Sequence, residues 1–275
     1  MITYKIEHET THVAVDVRKD GSVNVNINVG SKVPVLTLTN IIVTAHLDSP
    51  TMQVALSHTM EALRFQWPNG KFVLDLPYTP YARQDRRCNA GEAIGIKVFG
   101  DYINQLGFIS VIITDPHSIA AEVCIERAQV IDQIEVFGGE HDFGSWYIVA
   151  PDMGAKKKAE AFAKATCALG VITCYKERNM HTGEIISQGV IGGENIPKGA
   201  RLFVLDDICD GGRTFVGVAE LLQQFEPSDL ELAVTHGIFS YGTDVVTKVF
   251  DHVYTTNSFL PHAKTIDNLT VLEID

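Results

Sequence analysis

The chain of 275 residues carries 34 acidic and 22 basic side chains, a formal net charge of −12, and 45% of its residues are hydrophobic. This length has room for one large domain or two ordinary ones, and the acidity argues against nucleic acid as a partner. No run reaches the roughly 18 apolar residues of a membrane span. Since the first residues also lack the layout of a secretion signal, we expect a cytoplasmic globular protein without a membrane segment. Five scattered cysteines without a CxxC pair argue against a disulfide framework or a zinc site.

The first regular pattern along the chain is an alternation of apolar residues with asparagines. Val23, Val25, Ile27 and Val29 are each separated by one asparagine, which is the period of a strand with one wet face. A turn at residues 30–32 and an apolar run at 33–36 follow. This order predicts an N-terminal β-hairpin.

Short runs that are apolar throughout dominate the rest of the chain. Runs without alternation are typical of parallel strands that helices cover on both faces. The runs comprise residues 41–46, 72–77, 108–115, 146–152, 171–175, 201–207 and 232–237.

Segments with helical spacing separate several of these runs. Apolar residues recur at helical intervals in residues 96–106, 159–169 and 215–225. Alternating strands and helices predict an α/β fold, doubly wound, with mostly parallel sheets flanked by helices. Because the strands are too many for one compact unit, we expect two related α/β domains. The boundary is placed near residues 130–138, which gives domains of residues 1–133 and 134–275.

Aspartates stand at the ends of three apolar runs. They are Asp115, Asp152 and the pair Asp206 and Asp207. A single aspartate in this position is most often a turn or cap residue. However, ligands of open α/β sheets bind outside the carboxyl ends of the strands, so three such ends favour a polar rim for sugar hydroxyls or Mg²⁺.

A glycine-containing loop follows the doubled aspartate and precedes a helix. It consists of Asp210, Gly211, Gly212, Arg213 and Thr214. Backbone N–H groups at a helix N-terminus bind phosphate well, although glycines alone are equally typical of a tight turn. The adjacent aspartates favour a phosphorylated sugar, whose hydroxyls contact the acids and whose phosphate contacts the loop.

Residues 201–214 resemble the phosphoribosyl-pyrophosphate (PRPP) motif of the phosphoribosyltransferase superfamily. Other segments resemble one branch of it, the ribose-phosphate pyrophosphokinases, or PRPP synthetases. Their order and spacing match from about residue 40 to 257. The segments are residues 77–87 (PYTPYARQDRR), 115–117 (DPH), 150–157 (APDMGAKK) and 175–178 (YKER).

The resemblance implies two phosphoribosyltransferase-like domains and a Mg²⁺-dependent transfer of the ATP β,γ-diphosphate to the 1-hydroxyl of ribose 5-phosphate, releasing AMP. It implies ATP contacts by Arg83, Gln84, Asp85 and His117, and metal contacts by His117 and Asp152. It assigns ribose and phosphate binding to Asp206, Asp207 and the loop 210–214. Lys176 and Arg178 would act from a flexible catalytic flap, with hairpin-like sequence from Gly183 to Gly193. A homo-oligomer, at least a dimer, is also implied.

Two of these assignments have simpler alternatives in the sequence. Asp85, Arg86 and Arg87 are equally consistent with a solvated turn. His236, at another strand end, is expected to be structural rather than a ligand.

The sequence also departs from the family pattern. Residues 18–22 (RKDGS) lack the aromatic and the glutamate of the family's adenine-contacting segment, and Cys88 replaces an acidic residue. In the phosphate loop, Gly211 replaces a threonine and Arg213 replaces a glycine. Arg213 adds a fixed cationic fork, which either compensates for the lost hydroxyl or pairs with a second phosphate. The second option makes ADP-ribose the acceptor, with ADP-ribose pyrophosphate as the product.

Two other classes of function remain open. A phosphoribosyltransferase that consumes PRPP would not need the ATP segment. A catalytically silent relative that regulates a partner enzyme would fit the altered N-terminal segment and loop.

Overall fold

The computed structural model describes residues 1–6, 9–27, 40–178, 185–259 and 265–274. The chain divides into two compact units, Met1–Ile131 and Asp132–Ile274. Each has its own sheet and its own hydrophobic core.

In the described residues, the first unit combines a six-stranded sheet, a separate two-stranded sheet formed by its third and fourth strands, and three helices. Its strands are β1 (Ile2–Ile6), β2 (Glu9–His12), β3 (Ala14–Val17), β4 (Val23–Asn26), β5 (Asn40–Ala45), β6 (Lys71–Leu76), β7 (Ser110–Thr114) and β8 (Ala128–Ile131). Its helices are α1 (Pro50–Gln66), α2 (Gly95–Gln105) and α3 (Ile119–Cys124).

The first sheet has the strand order β2-β1-β5-β6-β7-β8. Strands β5 to β8 are parallel, while β1 is antiparallel to both of its neighbours. Each parallel strand therefore lies beside its predecessor in the chain, and the loops that follow β6 and β7 leave the sheet at the same edge.

The described part of the N-terminal segment contains a hairpin of β3 and β4. Of the alternating residues, Val23 and Val25 lie in β4, which pairs antiparallel with the preceding β3, with Val15 opposite Val25. Val29 lies outside the described residues. The turn comprises Arg18 to Ser22, in which the N–H groups of Arg18 and Gly21 donate to Ser22 O and Arg18 O. The predicted turn at 30–32 and the strand at 33–36 lie outside the described residues.

The second unit contains the larger sheet. Its strands are β9 (Trp146–Ala150), β10 (Gly170–Arg178), β11 (Ile185–Ile191), β12 (Arg201–Cys209), β13 (Asp229–Gly237), β14 (His252–Thr256) and β15 (Leu269–Leu272). Its helices are α4 (Gln133–Phe137), α5 (Lys156–Ala165), α6 (Arg213–Leu222) and α7 (Asp244–Thr247), with 3₁₀ turns at Phe143–Ser145 and Gln223–Phe225.

The second sheet has the order β11-β10-β9-β12-β13-β14-β15, parallel except for β11. The chain runs outward from β9 to β10 and β11, and then returns to continue on the other side of β9 with β12. The boundary between β9 and β12 is therefore the point where the strand order reverses. In doubly wound sheets this is where ligands bind.

Both faces of the second sheet are covered, which explains why its strands are apolar throughout. On β12, Leu202 and Val204 pack in the core that includes Phe215 and Leu222 of α6. The intervening Phe203 and Leu205 pack in a separate core with residues of α4 and α5. The predicted α/β fold with mostly parallel, helix-flanked sheets is confirmed.

The predicted helical stripes are correct apart from their ends. Ile96, Phe99 and Ile103 are buried on α2, and Phe215 begins the buried face of α6. The stripe predicted to reach Leu169 ends earlier, because α5 stops at Ala165 and Leu169 is 56% exposed. No helix in the described residues is long and apolar enough to span a bilayer.

The aromatic cluster around Phe203 leads to a stability prediction. Phe203 is fully buried, and its ring centroid lies 5.0 Å from that of Phe143 and 6.0 Å from that of Trp146. Replacing Phe203 by alanine leaves a cavity and should lower the free energy of unfolding by about 3–5 kcal/mol in urea titrations. Phe65→Ala removes a side chain that is 84% exposed and should change it by less than about 0.5 kcal/mol. Equal effects of the two variants would contradict this description of the core.

Candidate functional site

The switch point of the second sheet brings together aspartates from two neighbouring strands. β12 pairs with β9 up to Val204 opposite Val149. Beyond this pair, β12 continues into Asp206 and Asp207, and the chain after β9 reaches Asp152. The third predicted strand end, Asp115, belongs to the sheet of the first unit. The rim on the second sheet therefore consists of Asp152, Asp206 and Asp207.

Burial and neighbouring charges on this rim raise the pKa of one of its carboxyl groups. Burial is the largest cause that raises the pKa of Asp206 well above its usual range, followed by the charge of Asp207 and, more weakly, of Asp152. The N–H of Asp207 donates to Asp206 Oδ1 at 2.9 Å, which opposes the increase. Because the repulsion among these groups is unfavourable, hydroxyl donors or a cation at the rim would be favoured.

Asp152 also has the local role that is common for an aspartate after a strand. Its Oδ1 accepts hydrogen bonds from the N–H groups of Gly154 at 2.7 Å and Ala155 at 3.0 Å. These bonds close a turn immediately before α5. The residue remains exposed, so the turn fixes its backbone at the mouth of the rim.

The loop after β12 leads directly into α6. Gly212 is its N-cap and has φ +75°. A Cβ at this position would lie 2.8 Å from Val245 Cγ1, so both the backbone conformation and the lack of space require glycine. Arg213 and Thr214 follow as the first helical residues, and both are exposed. The loop thus presents a helix N-terminus to solvent next to the rim, as the sequence predicted for a phosphate site.

Asp210 supports the loop. Its Oδ1 accepts a hydrogen bond from the Ser240 hydroxyl, and its carbonyl accepts one from the Ser240 N–H at 3.1 Å. Ser240 and its neighbour Tyr241 were missed in the sequence. They follow β13, the strand beside β12, so their position after the carboxyl end of an adjacent parallel strand is the signal that could have identified them.

Cys209 lies in the sequence between Asp207 of the rim and Asp210 of the loop, but its thiol is not a nucleophile. It is fully buried. Burial, followed by the charges of Asp206 and Asp210, raises the pKa of the Cys209 thiol to about 12. The thiol therefore stays protonated near neutral pH and packs as an apolar side chain.

Lys176 and Arg178 occupy the end of β10 that extends past β9. The pairing of β10 with β9 ends at Thr173 opposite Ala150, whereas its pairing with antiparallel β11 continues through Lys176 opposite Gln188. Their backbones thus lie at the same sheet edge as the rim. The predicted hairpin is present in β10 and β11, with an irregularity between Glu177 and Arg178. Its tip, residues 179–184, lies outside the described residues.

The segment resembling an ATP site belongs to the first unit and follows β6. Tyr81 has φ +61°, and its carbonyl accepts a hydrogen bond from the Gln84 N–H at 2.8 Å. A Cβ on Gly95 would lie 2.3 Å from Gln84 Oε1, so the Gln84 side chain packs tightly on the first residue of α2. Arg83 is exposed.

The next residues form an exposed turn. Arg86 Nε lies 3.8 Å from Asp85 Oδ1, and Arg87 Nε donates to the Glu92 carbonyl at 2.9 Å. The exposed Arg86 and Arg87 are thus consistent with the simpler interpretation of a solvated turn.

Asp115 and His117 follow β7, the neighbour of β6, and emerge at the same edge. Asp115 is buried and has φ +36°, a conformation that is unfavourable for a non-glycine residue. Its N–H donates to the Ile131 carbonyl at 2.8 Å. His117, two residues on, is exposed. Backbone strain of this kind is often found in functional loops.

The described residues include no cluster of three or more His, Cys, Asp or Glu side chains suited to hold a metal ion. The two predicted metal contacts, His117 and Asp152, belong to different units. The carboxylates of the rim do fit Mg²⁺, because this ion is commonly held by one or two carboxylates together with substrate phosphates.

His236 has the environment of a structural residue, as expected. It is buried on β13, and its Nδ1 lies 2.8 Å from the hydroxyl of buried Ser258.

Comparisons with known proteins agree with this arrangement. A phosphoribosyl transferase domain model matches residues 128–257. The ribose-phosphate pyrophosphokinase of Mycoplasmopsis pulmonis is 30% identical over 191 residues, which are 66% of this chain and 58% of that protein. The protein of the same name from Thermococcus kodakarensis is 29% identical over 198 residues, covering 68% and 66% of the two chains.

A solved structure extends the likeness to both units. The crystal structure of phosphoribosylpyrophosphate synthetase from Mycobacterium smegmatis matches with a TM-score of 0.80 and 22% identity, covering 98% of this chain and 88% of that one. At this identity the match establishes the fold. In sequence, the chain aligns with 58%, 65% and 63% of the lengths of three curated relatives. The chain is therefore similar to ribose-phosphate pyrophosphokinases, or phosphoribosylpyrophosphate synthetases, in sequence over about two thirds of its length and in the fold of both units.

Proposed function

We propose that the protein transfers the β,γ-diphosphate of ATP to the 1-hydroxyl of a 5-phosphorylated ribose and releases AMP. The 1-hydroxyl oxygen forms a bond to the β-phosphorus, the bond from that phosphorus to the AMP oxygen breaks, and the hydroxyl proton is released. The main support is the convergence of Asp152, Asp206, Asp207 and the phosphate loop at the switch point of one sheet.

Opposite demands of the substrate explain the composition of this site. Ribose hydroxyls donate hydrogen bonds to carboxylates, which suits Asp206 and Asp207. The 5-phosphate accepts hydrogen bonds from N–H groups, which suits the loop at Gly211 and Gly212 and the start of α6. Because the pentose separates these two ends of the ligand, acids and phosphate need not come into contact.

The transferring group requires positive charge. In phosphoryl transfer, positioning and charge neutralisation contribute most of the catalysis. Lys176 and Arg178 are assigned this role from their resemblance to the family's flap and from the backbone position of β10 at the edge that carries the rim. Asp152 of the rim would hold Mg²⁺ together with substrate phosphates, and the ion would supply positive charge there. His117 is the proposed metal contact of the first unit. In the first unit, Arg83, Gln84, Asp85 and His117 are the proposed ATP contacts.

The protein is proposed to assemble as at least a dimer.

Ribose 5-phosphate is the principal proposed acceptor. A second candidate acceptor is ADP-ribose, which has a free 1-hydroxyl and a diphosphate at its 5-position. The observation that favours it is the exposed guanidinium of Arg213 at the start of α6, beside the loop. A planar fork of N–H groups suits a second phosphate.

The test of the proposed function is AMP release from Mg-ATP. Addition of ribose 5-phosphate or ADP-ribose should strongly increase AMP formation. Lys176→Ala should reduce kcat by about 100- to 1,000-fold, as expected when one donor to the reacting group is lost. AMP would be quantified by chromatography.

A matched variant controls for the loss of one positive charge. Lys248 is the residue directly after α7, and its Nζ lies 2.9 Å from Oδ2 of Asp244, the first residue of that helix. Both side chains are exposed, so Lys248→Ala should leave kcat unchanged. Equal AMP release with and without an acceptor would contradict the proposed transfer.

The partly buried carboxyl of Asp206 predicts a trade-off between stability and activity. Because its pKa is raised on folding, the ionised carboxylate destabilises the folded protein once the pH exceeds the ordinary carboxyl pKa of about 3.9. Asp206→Asn should therefore raise Tm at pH 7, with a smaller gain near pH 4, while the KM for the acceptor increases. Differential scanning calorimetry at both pH values and AMP kinetics would measure this.

The exposed Asp16 provides the control. Asp16→Asn should change neither Tm nor AMP release. A lower Tm at pH 7 for Asp206→Asn, with an unchanged KM for the acceptor, would show that Asp206 neither destabilises the folded protein nor contacts the acceptor.

Arg213→Gly separates the two acceptors. Loss of a charge-assisted pair with a second phosphate should reduce kcat/KM for ADP-ribose by about 10-fold or more. The value for ribose 5-phosphate should change much less. Proportional losses for both substrates would show that Arg213 serves the first phosphate instead, and an unchanged value for ADP-ribose would exclude the pairing.

A further inference from the structure

The segment that follows β13 is joined by backbone hydrogen bonds to the end of β12. The N–H groups of Ile238 and Phe239 both donate to the Cys209 carbonyl, at 2.9 and 3.1 Å. The N–H of Ser240 donates to the Asp210 carbonyl at 3.1 Å. The backbone before Tyr241 is therefore fixed relative to the phosphate loop.

The backbone after Tyr241 is held as well. The N–H of Gly242 donates to the Phe239 carbonyl at 2.8 Å, and Gly242 has φ +88°, which favours glycine. Phe239 is buried beneath the turn. Tyr241 thus stands at the tip of a tight turn whose other residues are anchored, while its own side chain is 68% exposed.

The ring of Tyr241 lies against the phosphate loop. A Cβ on Gly211 would be 3.0 Å from Tyr241 Cε2 and 3.1 Å from Cδ2, so the ring packs closely on Gly211 and a side chain there would require it to shift. The Arg213 Cζ lies 5.8 Å from the ring centroid. Both positions where the loop departs from the family pattern therefore lie beside this ring.

An isolated exposed tyrosine needs no explanation. This one differs, because a rigid turn holds it beside a helix N-terminus and next to a cation. An exposed aromatic face stacks with planar bases, and an adjacent guanidinium binds phosphate. Together they match a substituent in which a diphosphate connects the ribose to a planar heteroaromatic ring.

We propose that Tyr241 is a specificity-determining residue that admits nucleoside-diphosphate riboses as a second class of acceptor, because its ring stacks on the planar base of their 5-substituent. This proposal rests on the proposed function, which assigns the neighbouring loop to the 5-phosphate. Tyr241 takes no part in the transfer step itself.

Calorimetric binding without ATP tests this role separately from turnover. The full-length protein and the variants Tyr241→Ala and Tyr241→Phe would be titrated with ADP-ribose and with ribose 5-phosphate. Tyr241→Ala should weaken ADP-ribose binding by about 5- to 150-fold, the range expected for loss of one base–aromatic stack. It should leave the Kd for ribose 5-phosphate within about twofold. Tyr241→Phe keeps the ring and should bind both ligands as the natural protein does.

The remaining outcomes are decisive too. Unchanged ADP-ribose binding by Tyr241→Ala, equal losses for both ligands, or failure of the natural protein to bind ADP-ribose would each overturn the proposal. AMP release with ribose 5-phosphate would then still support the transfer reaction. Conversely, Tyr241-dependent ADP-ribose binding without any AMP release would support the stacking role and contradict the proposed function.

Discussion

The pairing of β12 with β9 is the constraint on which the candidate site depends. Val204 lies opposite Val149 at the reversal of the strand order. Because the two strands are parallel, the residues that come after this pair in each chain segment lie at the same edge of the sheet. Apolar packing on the two faces fixes this register, since a shift by one residue would exchange the two sets of core side chains. The position of Asp206 and Asp207 beside Asp152 is thus a consequence of core packing.

The two adjacent carboxyl groups at the end of β12, Asp206 and Asp207, lower the stability of the folded protein when both are ionised. Burial and the neighbouring Asp207 raise the pKa of Asp206, so ionisation of Asp206 lowers the stability of the folded protein. In the first unit, the positive φ angles of Tyr81 and Asp115 also lower the stability of the folded protein. Such features are typical of sites at which substrate binding supplies the missing interactions.

The sequence predicted the elements with strong patterns and missed those specified by contacts between strands. Continuous apolar runs indicated the parallel strands, and the doubled aspartate indicated the rim, because both depend on short segments. The pairing of β4 with β3 could not be read, since alternation defines a strand but not its partner. The same holds for Tyr241, which reaches the loop only through hydrogen bonds between Cys209 and residues 238 and 239.

The central claim is that a diphosphate moves as one unit to the anomeric hydroxyl. ATP labelled with ³²P at the β-phosphate tests it most directly, in the presence of Mg²⁺ and either ribose 5-phosphate or ADP-ribose. The label should appear in the pentose product in an amount equal to that of the AMP formed. Label that remains in ADP, or that is released as free diphosphate, would contradict it.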